Sequence, residues 1–186
     1  GYSPSGLPLF RLAFRPFFLL AALFSTLSLS LWAALLSGWL DWHVYGGPHW
    51  WHIHEMLFGF VVAIAVGFLL TAVQTWTGVP GLRGWALAGL VMLWLSARLA
   101  MLAGDTLPAA LVALLDLLFL PIAAGVLARP VIKVKQWRNS IFIPILLGMA
   151  ILNGIMHWSV VSEAPHLLLW ASQAMVLLVT LLMTVV

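Results

Sequence analysis

Six apolar runs, each near the ~20 residues that carry a helix across a bilayer's hydrocarbon core, leave this chain little choice of fold. They cover approximately Phe17–Ser37, Ile53–Val73, Trp85–Ala103, Leu107–Ala128, Ile141–Val161 and His166–Val186. Backbone N–H and C=O groups find no water in that layer, so each run must satisfy them internally, as a helix does. Only 7% of residues are charged and 64% are hydrophobic, against roughly 25% charged in a soluble domain. The expected fold class is therefore all-α: a polytopic bundle of six transmembrane helices in a single domain over residues 1–186. Gly46-Gly47-Pro48, Gly78-Val79-Pro80-Gly81 and Ala128-Arg129-Pro130 read as breaks between runs. Asn153-Gly154 hints at a break inside the fifth. Leu7 to Ser37 reads as a retained span. Its apolar core exceeds the 7–15 residues of a signal peptide, and no small-residue cleavage pattern follows.

Lysine and arginine in the short loops set the expected orientation. Arg11 and Arg15 precede the first run, Arg83 follows the second, and Arg129, Lys133, Lys135 and Arg138 follow the fourth. The alternate loops hold Asp41, Asp105 and Glu163 and no basic residue. This pattern places the N-terminus in the cytoplasm. His43, His49, His52, His54, His157 and His166 then all lie at the periplasmic level. Membrane lipid is the partner the composition implies. Basic patches interleaved with aromatics are missing, which argues against nucleic acid. The absence of cysteine removes disulfides, Cys-ligated clusters and covalent c-type haem attachment. Any haem would be a non-covalent b-type group.

Chemistry concentrates in Trp50-Trp51-His52-Ile53-His54-Glu55-Met56, at the head of the second run. Ionisable groups inside a membrane are costly and usually functional, and histidine is the commonest metal ligand. With about 3.6 residues per turn, His49, His52 and Met56 share one face, with Glu55 close to it. That His/Met face suits copper. His54 points about 200° around from His52, so one regular helix cannot turn both to one ion. His52 or His54 is the candidate axial haem ligand, His54 before His52 because His52 shares its face with His49 and Met56, and His157, on another helix at similar depth, is the second pole. Alternatively these are interfacial histidines bonded to Glu55, backbone or water, with His157 bonded to Asn153 one turn earlier.

Arg98 and Asp116 are the deepest charges, both roughly 9–14 Å below the outer helix ends. Buried membrane charges pair or face a cavity. The pair reads first as a structural ion pair, and Arg98 alternatively as the holder of a haem propionate. Gly59 and Gly67 read as places where helices approach closely, and Trp32 and Trp94 as tryptophans packed between helices. No nucleophile–His–acid set and no phosphate loop is present.

Trp51-His52-Ile53-His54-Glu55-Met56-Leu57-Phe58-Gly59-Phe60 resembles the hallmark of the NnrS family of bacterial membrane proteins. Phe10-Arg11-Leu12-Ala13-Phe14-Arg15-Pro16-Phe17-Phe18, Gly67-Phe68-Leu69-Leu70-Thr71-Ala72-Val73 with Trp76-Thr77-Gly78, and Leu82-Arg83-Gly84-Trp85 agree with it. Ile53 and Gln74-Thr75 depart from the family pattern. The resemblance implies haem and copper, a link to denitrification and nitric oxide, and a role in nitrosative stress defence. It also implies members about twice this length, so the chain is expected to be an N-terminal half; the unanchored Met183-Thr184-Val185-Val186 end agrees. The competing expectations are a transporter or channel with Arg98 and Asp116 in its path, and a structural membrane subunit.

Overall fold

The computed structural model describes residues 8–186, all helix and connecting turns with no strand among them. The expected cytoplasmic N-terminus falls in residues 1–7, outside the described residues. Six helices are long and apolar enough to cross a membrane: α1 (Phe14–Leu36), α2 (Gly47–Thr77), α3 (Gly84–Leu102), α4 (Ala109–Lys133), α5 (Trp137–Val161) and α6 (Pro165–Val185). Over half of α2's apolar window is buried, 56%, against 11% for α1 and 17% for α6. Helix α2 is thus the central element, packed on α1 and α4, while α5 lies between α4 and α6.

Two helices outrun their apolar stretches. Helix α2 starts at Gly47, with Gly46 in the left-handed region (φ 73°) and Pro48 in the first turn, where its missing N–H costs nothing. It stops at Gly78, again left-handed, the common C-terminal device. Helix α4 continues through Pro130 to Lys133, so the break expected at Ala128-Arg129-Pro130 does not occur there. A proline so near the end forfeits a single intrahelical bond, and burial of Pro130 and Val131 offsets it. Nor is there a break at Asn153-Gly154, since regular helix runs from Phe142 to Val161.

The real irregularities lie in α2 and α4. A π-helical stretch, Glu55–Val61, separates the regular helices Gly47–His54 and Val62–Thr77. Such wide turns favour functional sites. Helix α4 is interrupted at Leu118, between Ala109–Leu117 and Phe119–Lys133. Pro121, four residues after Leu117, has no N–H to give that carbonyl.

Both glycines singled out on α2 face α1. A Cβ on Gly67 would lie 2.9 Å from the Cβ of Phe17, and one on Gly59 would lie 2.7 Å from Phe24 Cε1. Thr71 Oγ1 accepts the backbone N–H of Phe14 at 3.0 Å, tying the start of α1 to α2. Trp94 is buried and donates to the Gly59 carbonyl at 3.0 Å. Trp32 stacks on His52, ring centroids 3.9 Å apart. Both tryptophans thus pack between helices, whereas Trp39, Trp85 and Trp137 are exposed near helix ends, as in an interfacial aromatic belt.

Candidate metal centre

His54, Arg98, Asp116 and His157 come from four helices and meet at one end of the bundle. His54 is the last residue of the first α-helical part of α2, and Asp116 is the next-to-last of the first part of α4. Arg98 and His157 lie one turn from the C-terminal ends of α3 and α5. Because consecutive helices run antiparallel, these ends share a level, roughly 6–10 Å inside. Glu55 and Asn153 complete the cluster, and all six side chains are buried.

Asp116 is its hub. Its Oδ1 pairs with Arg98 Nη2. Its Oδ2 accepts from Asn153 Nδ2 at 2.6 Å and lies 3.1 Å from His157 Nε2 and 3.2 Å from His54 Nε2. The other ring nitrogens are held from outside. His54 Nδ1 lies 3.0 Å from Glu55 Oε1, and His157 Nδ1 lies 3.3 Å from the Tyr45 hydroxyl. His54 is clamped between Trp50, stacked at 4.6 Å, and Phe58 at 5.1 Å. Trp50 is itself anchored through Nε1 to Ser159 Oγ and the Met156 carbonyl, at 3.1 and 3.2 Å. Both imidazoles therefore have a fixed orientation.

The arrangement could hold a metal ion. One ligand atom from each of His54, Asp116 and His157 lies within 4.8 Å of the others. Metal-binding histidines typically give their second ring nitrogen to a carboxylate or other acceptor, which orients the ring. Glu55 and Tyr45 occupy those positions. One guanidinium facing two carboxylates leaves one negative charge in excess in a buried site. A bound cation, or a proton on an imidazole, balances it. Two imidazoles and a carboxylate suit Fe(II), Cu(II) or Zn(II).

The sequence-derived candidates divide. His54, His157 and Arg98 converge here. His49 and His52 do not; they sit beside Trp32, with His49 exposed and His52 half-buried. Met56 is half-buried on α2. Glu55, placed by regular helical geometry near the His49 and His52 face, instead turns inward with His54. Its Oε2 lies 3.2 Å from Arg98 Nε, close enough for charge attraction though not aligned as a hydrogen bond. Asn153 is not bonded to His157, as its one-turn spacing suggested, but donates to Asp116 and accepts from His54 at 2.8 Å. His43 is exposed in the loop before α2, and His166 is exposed at the start of α6.

Tyr45 is the contributor that helical spacing could not reveal, whereas Trp50 stacks on His54 from one turn earlier on the same helix. Tyr45 lies in the loop between α1 and α2. Its backbone N–H bonds the Met101 carbonyl at 3.0 Å, which folds the ring over His157. Burial raises the Tyr45 phenol above its usual 10, and the Asp116 charge adds to the rise. The folded state thus holds a proton that the unfolded chain releases sooner, so this contribution to stability is lost as pH climbs above about 10. Phenolate absorbance should show a late-titrating component that Tyr45→Phe removes. A Tyr45 that ionised at the usual 10 would contradict the buried placement.

Comparison with curated proteins and with solved structures gives no match. The family model described as "NnrS protein" matches residues 8–186, a span that takes in all six helices and every residue of the cluster. This multi-pass membrane protein therefore belongs to the NnrS family.

Proposed function

We propose that this chain is a copper-binding membrane protein that acts on or senses nitric oxide, in its metabolism or in defence against nitrosative stress. The observation that carries the reading is the convergence of His54 Nε2, His157 Nε2 and Asp116 Oδ2, each imidazole oriented by a second group. His54, His157 and Asp116 would hold the ion, which would supply an open coordination position and a redox couple. Glu55 and Tyr45 would keep both rings aligned. Arg98 would limit Asp116 to one free carboxylate oxygen. Nitric oxide is small and uncharged, so it reaches a site within the bilayer without a polar channel.

Haem is the second group that the family resemblance implies. The residues at the centre do not fit it as they stand. The inward nitrogens of His54 and His157 lie 3.2 and 3.1 Å from the same Asp116 oxygen, a spacing that suits a single ion and not a macrocycle, and both faces of the His54 ring are covered by Trp50 and Phe58. Arg98 already faces two carboxylates, Glu55 and Asp116, so a propionate would add a third negative charge beside one guanidinium. His49 and His52, beside Trp32, remain the histidines outside this network on α2.

Copper should copurify in stoichiometric amount or be taken up on reconstitution. Anaerobic nitric oxide should then alter its Cu(II) paramagnetic resonance signal. Copper bound with no response to nitric oxide would separate the metal from the function; no copper at all would sink both. Soret and α bands in the oxidised and dithionite-reduced spectrum would report haem independently.

The orientation belongs to this proposal. The Lys133–Arg138 segment would be cytoplasmic and the metal centre near the periplasmic face of the inner membrane, an orientation that the loop charges support. A cysteine at Gln136 should resist an impermeant thiol reagent in whole cells while one at Ser162 reacts. The reverse pattern would turn the protein over and put the cluster on the inner side.

A transporter is the second reading, and one observation favours it. The helical irregularities at Glu55–Val61 and Leu118 flank the charged cluster, as broken helices flank transport sites. Ion flux in proteoliposomes, abolished by Asp116→Asn, would be its signature.

A further inference from the structure

Helix α6 turns a polar edge outward. Its buried side, Leu168, Ala171, Met175 and Leu182, belongs to the face that packs on α5. On the opposite side His166, Trp170, Gln173, Leu177, Thr180 and Thr184 are all exposed, Trp170 at 55% and Leu177 at 71%. The steps between them alternate four and three residues, the heptad spacing that holds one edge of a helix against a partner.

Gln173 sets this edge apart from ordinary lipid-facing surface. It stands two residues from Met175, the midpoint of the 21-residue helix, and roughly 12 Å along the axis from Pro165. That is too deep for its amide to reach water. Among the described residues its side chain has no hydrogen-bond partner, whereas its polar neighbours are satisfied. The Thr180 and Thr184 hydroxyls donate to the Val176 and Thr180 carbonyls, at 2.9 and 2.8 Å. The other sparsely buried helix, α1, makes no comparable demand. Its exposed Thr26 and Ser30 hydroxyls donate to the Ala22 and Thr26 carbonyls, at 3.1 and 2.9 Å. An amide left unpaired in hydrocarbon is costly, so Gln173 calls for a partner from outside the described helices.

The chemistry of the amide says what that partner is. A carboxamide carries both donors and an acceptor, so it is complementary to a second copy of itself. Copies of one membrane protein share one topology, so two α6 helices meet in parallel. In a two-fold parallel pair each residue on the edge faces its own counterpart. Gln173 Nε2 then donates to the partner copy's amide oxygen and accepts the reciprocal bond, and the Leu177 side chains pack together one turn away. The edge holds no Lys, Arg, Asp or Glu, so joining two copies brings no like charges together.

We propose that the Gln173 edge of α6 joins two copies of this protein about a two-fold axis normal to the bilayer, with the paired amides at its centre. The interface lies on the far side of α6 from α5 and leaves the metal centre untouched.

The chain has no cysteine, so single introduced cysteines report contacts directly. In proteoliposomes of the full chain, iodine oxidation should link copies carrying Leu177→Cys or Thr180→Cys into dimers. Val176→Cys and Leu181→Cys, at exposed positions turned about 100° from the edge, should stay monomeric. Energy transfer between labelled copies in bilayers measures the strength of the dimer. Gln173→Leu should weaken it about three- to thirtyfold, the range for an interhelical hydrogen bond in a membrane, and Gln173→Asn should largely keep it. Thermal unfolding of Gln173→Leu should match wild type, which shows that the loss is one of association and not of folding. Cross-linking at all four positions alike, cross-linking at none because another helix covers the edge, or a dimer unmoved by Gln173→Leu would each overturn the proposal. None of these outcomes bears on copper at His54 and His157.

Discussion

Replacing Asp116 by leucine is expected to cost about 3–5 kcal/mol of stability, the usual penalty for stranding one member of a buried charged set. Its carboxylate pairs with Arg98, accepts from Asn153 and His157, and lies 3.2 Å from His54. Without it, Arg98 keeps only Glu55, 3.2 Å away and poorly aligned. Asp116→Asn preserves size and one acceptor, so it should cost less. The double variant Arg98→Met with Asp116→Leu should recover part of the loss and no more, because His157 and Asn153 still lack the Asp116 carboxylate and Glu55 lacks Arg98. Thermal unfolding of wild type, both single variants and the double in one detergent gives the coupling directly. Strictly additive losses would mean that the two side chains do not support each other.

Much of the fold could be read from the sequence because a bilayer permits so few solutions. Six apolar runs of sufficient length gave six helices, and Gly46 and Gly78 bound α2 at its two ends in left-handed backbone. Boundaries failed where hydropathy and helix part company. Pro130 reads as a terminator but lies inside α4, since a late proline forfeits little. Asn153-Gly154 reads as a weak point but is regular helix, because the Asn153 side chain spends its hydrogen bonds on His54 and Asp116 and leaves the backbone alone.

The site was legible in its members more than in its wiring. Depth along antiparallel helices placed Arg98 and Asp116 together, and His54 and His157 at a similar level. Regular helical geometry could not show that Glu55 turns inward beside His54, because it assumes 3.6 residues per turn where the chain takes a π-helical path. Nor could spacing reveal Tyr45, which reaches His157 from 112 positions away through a loop held by Met101. The i, i+2 separation of His52 and His54 was informative, since the two rings do face different neighbours, Trp32 for one and Trp50 for the other.

That separation yields the sharpest expectation for the metal. His54→Ala and His157→Ala should each abolish high-affinity copper binding, because each removes one of three converging ligand atoms and the remaining pair cannot enclose an ion. His49→Ala and His52→Ala should leave copper in place, since both rings lie against Trp32 away from Asp116. Glu55→Gln and Tyr45→Phe should fall between, weakening copper by about 10–100-fold, as loss of an orienting partner does. Glu55→Gln should have the larger effect of the two, because it removes a full charge at 3.0 Å from His54 Nδ1 where Tyr45→Phe removes a neutral hydroxyl at 3.3 Å from His157. Competition against a chromophoric copper chelator measures all six variants on one scale. If His49→Ala and His52→Ala lost the ion while His54→Ala kept it, the metal would belong to the His49, His52 and Met56 face. The buried cluster would then be a structural hydrogen-bond network that ties α2, α3, α4 and α5 together.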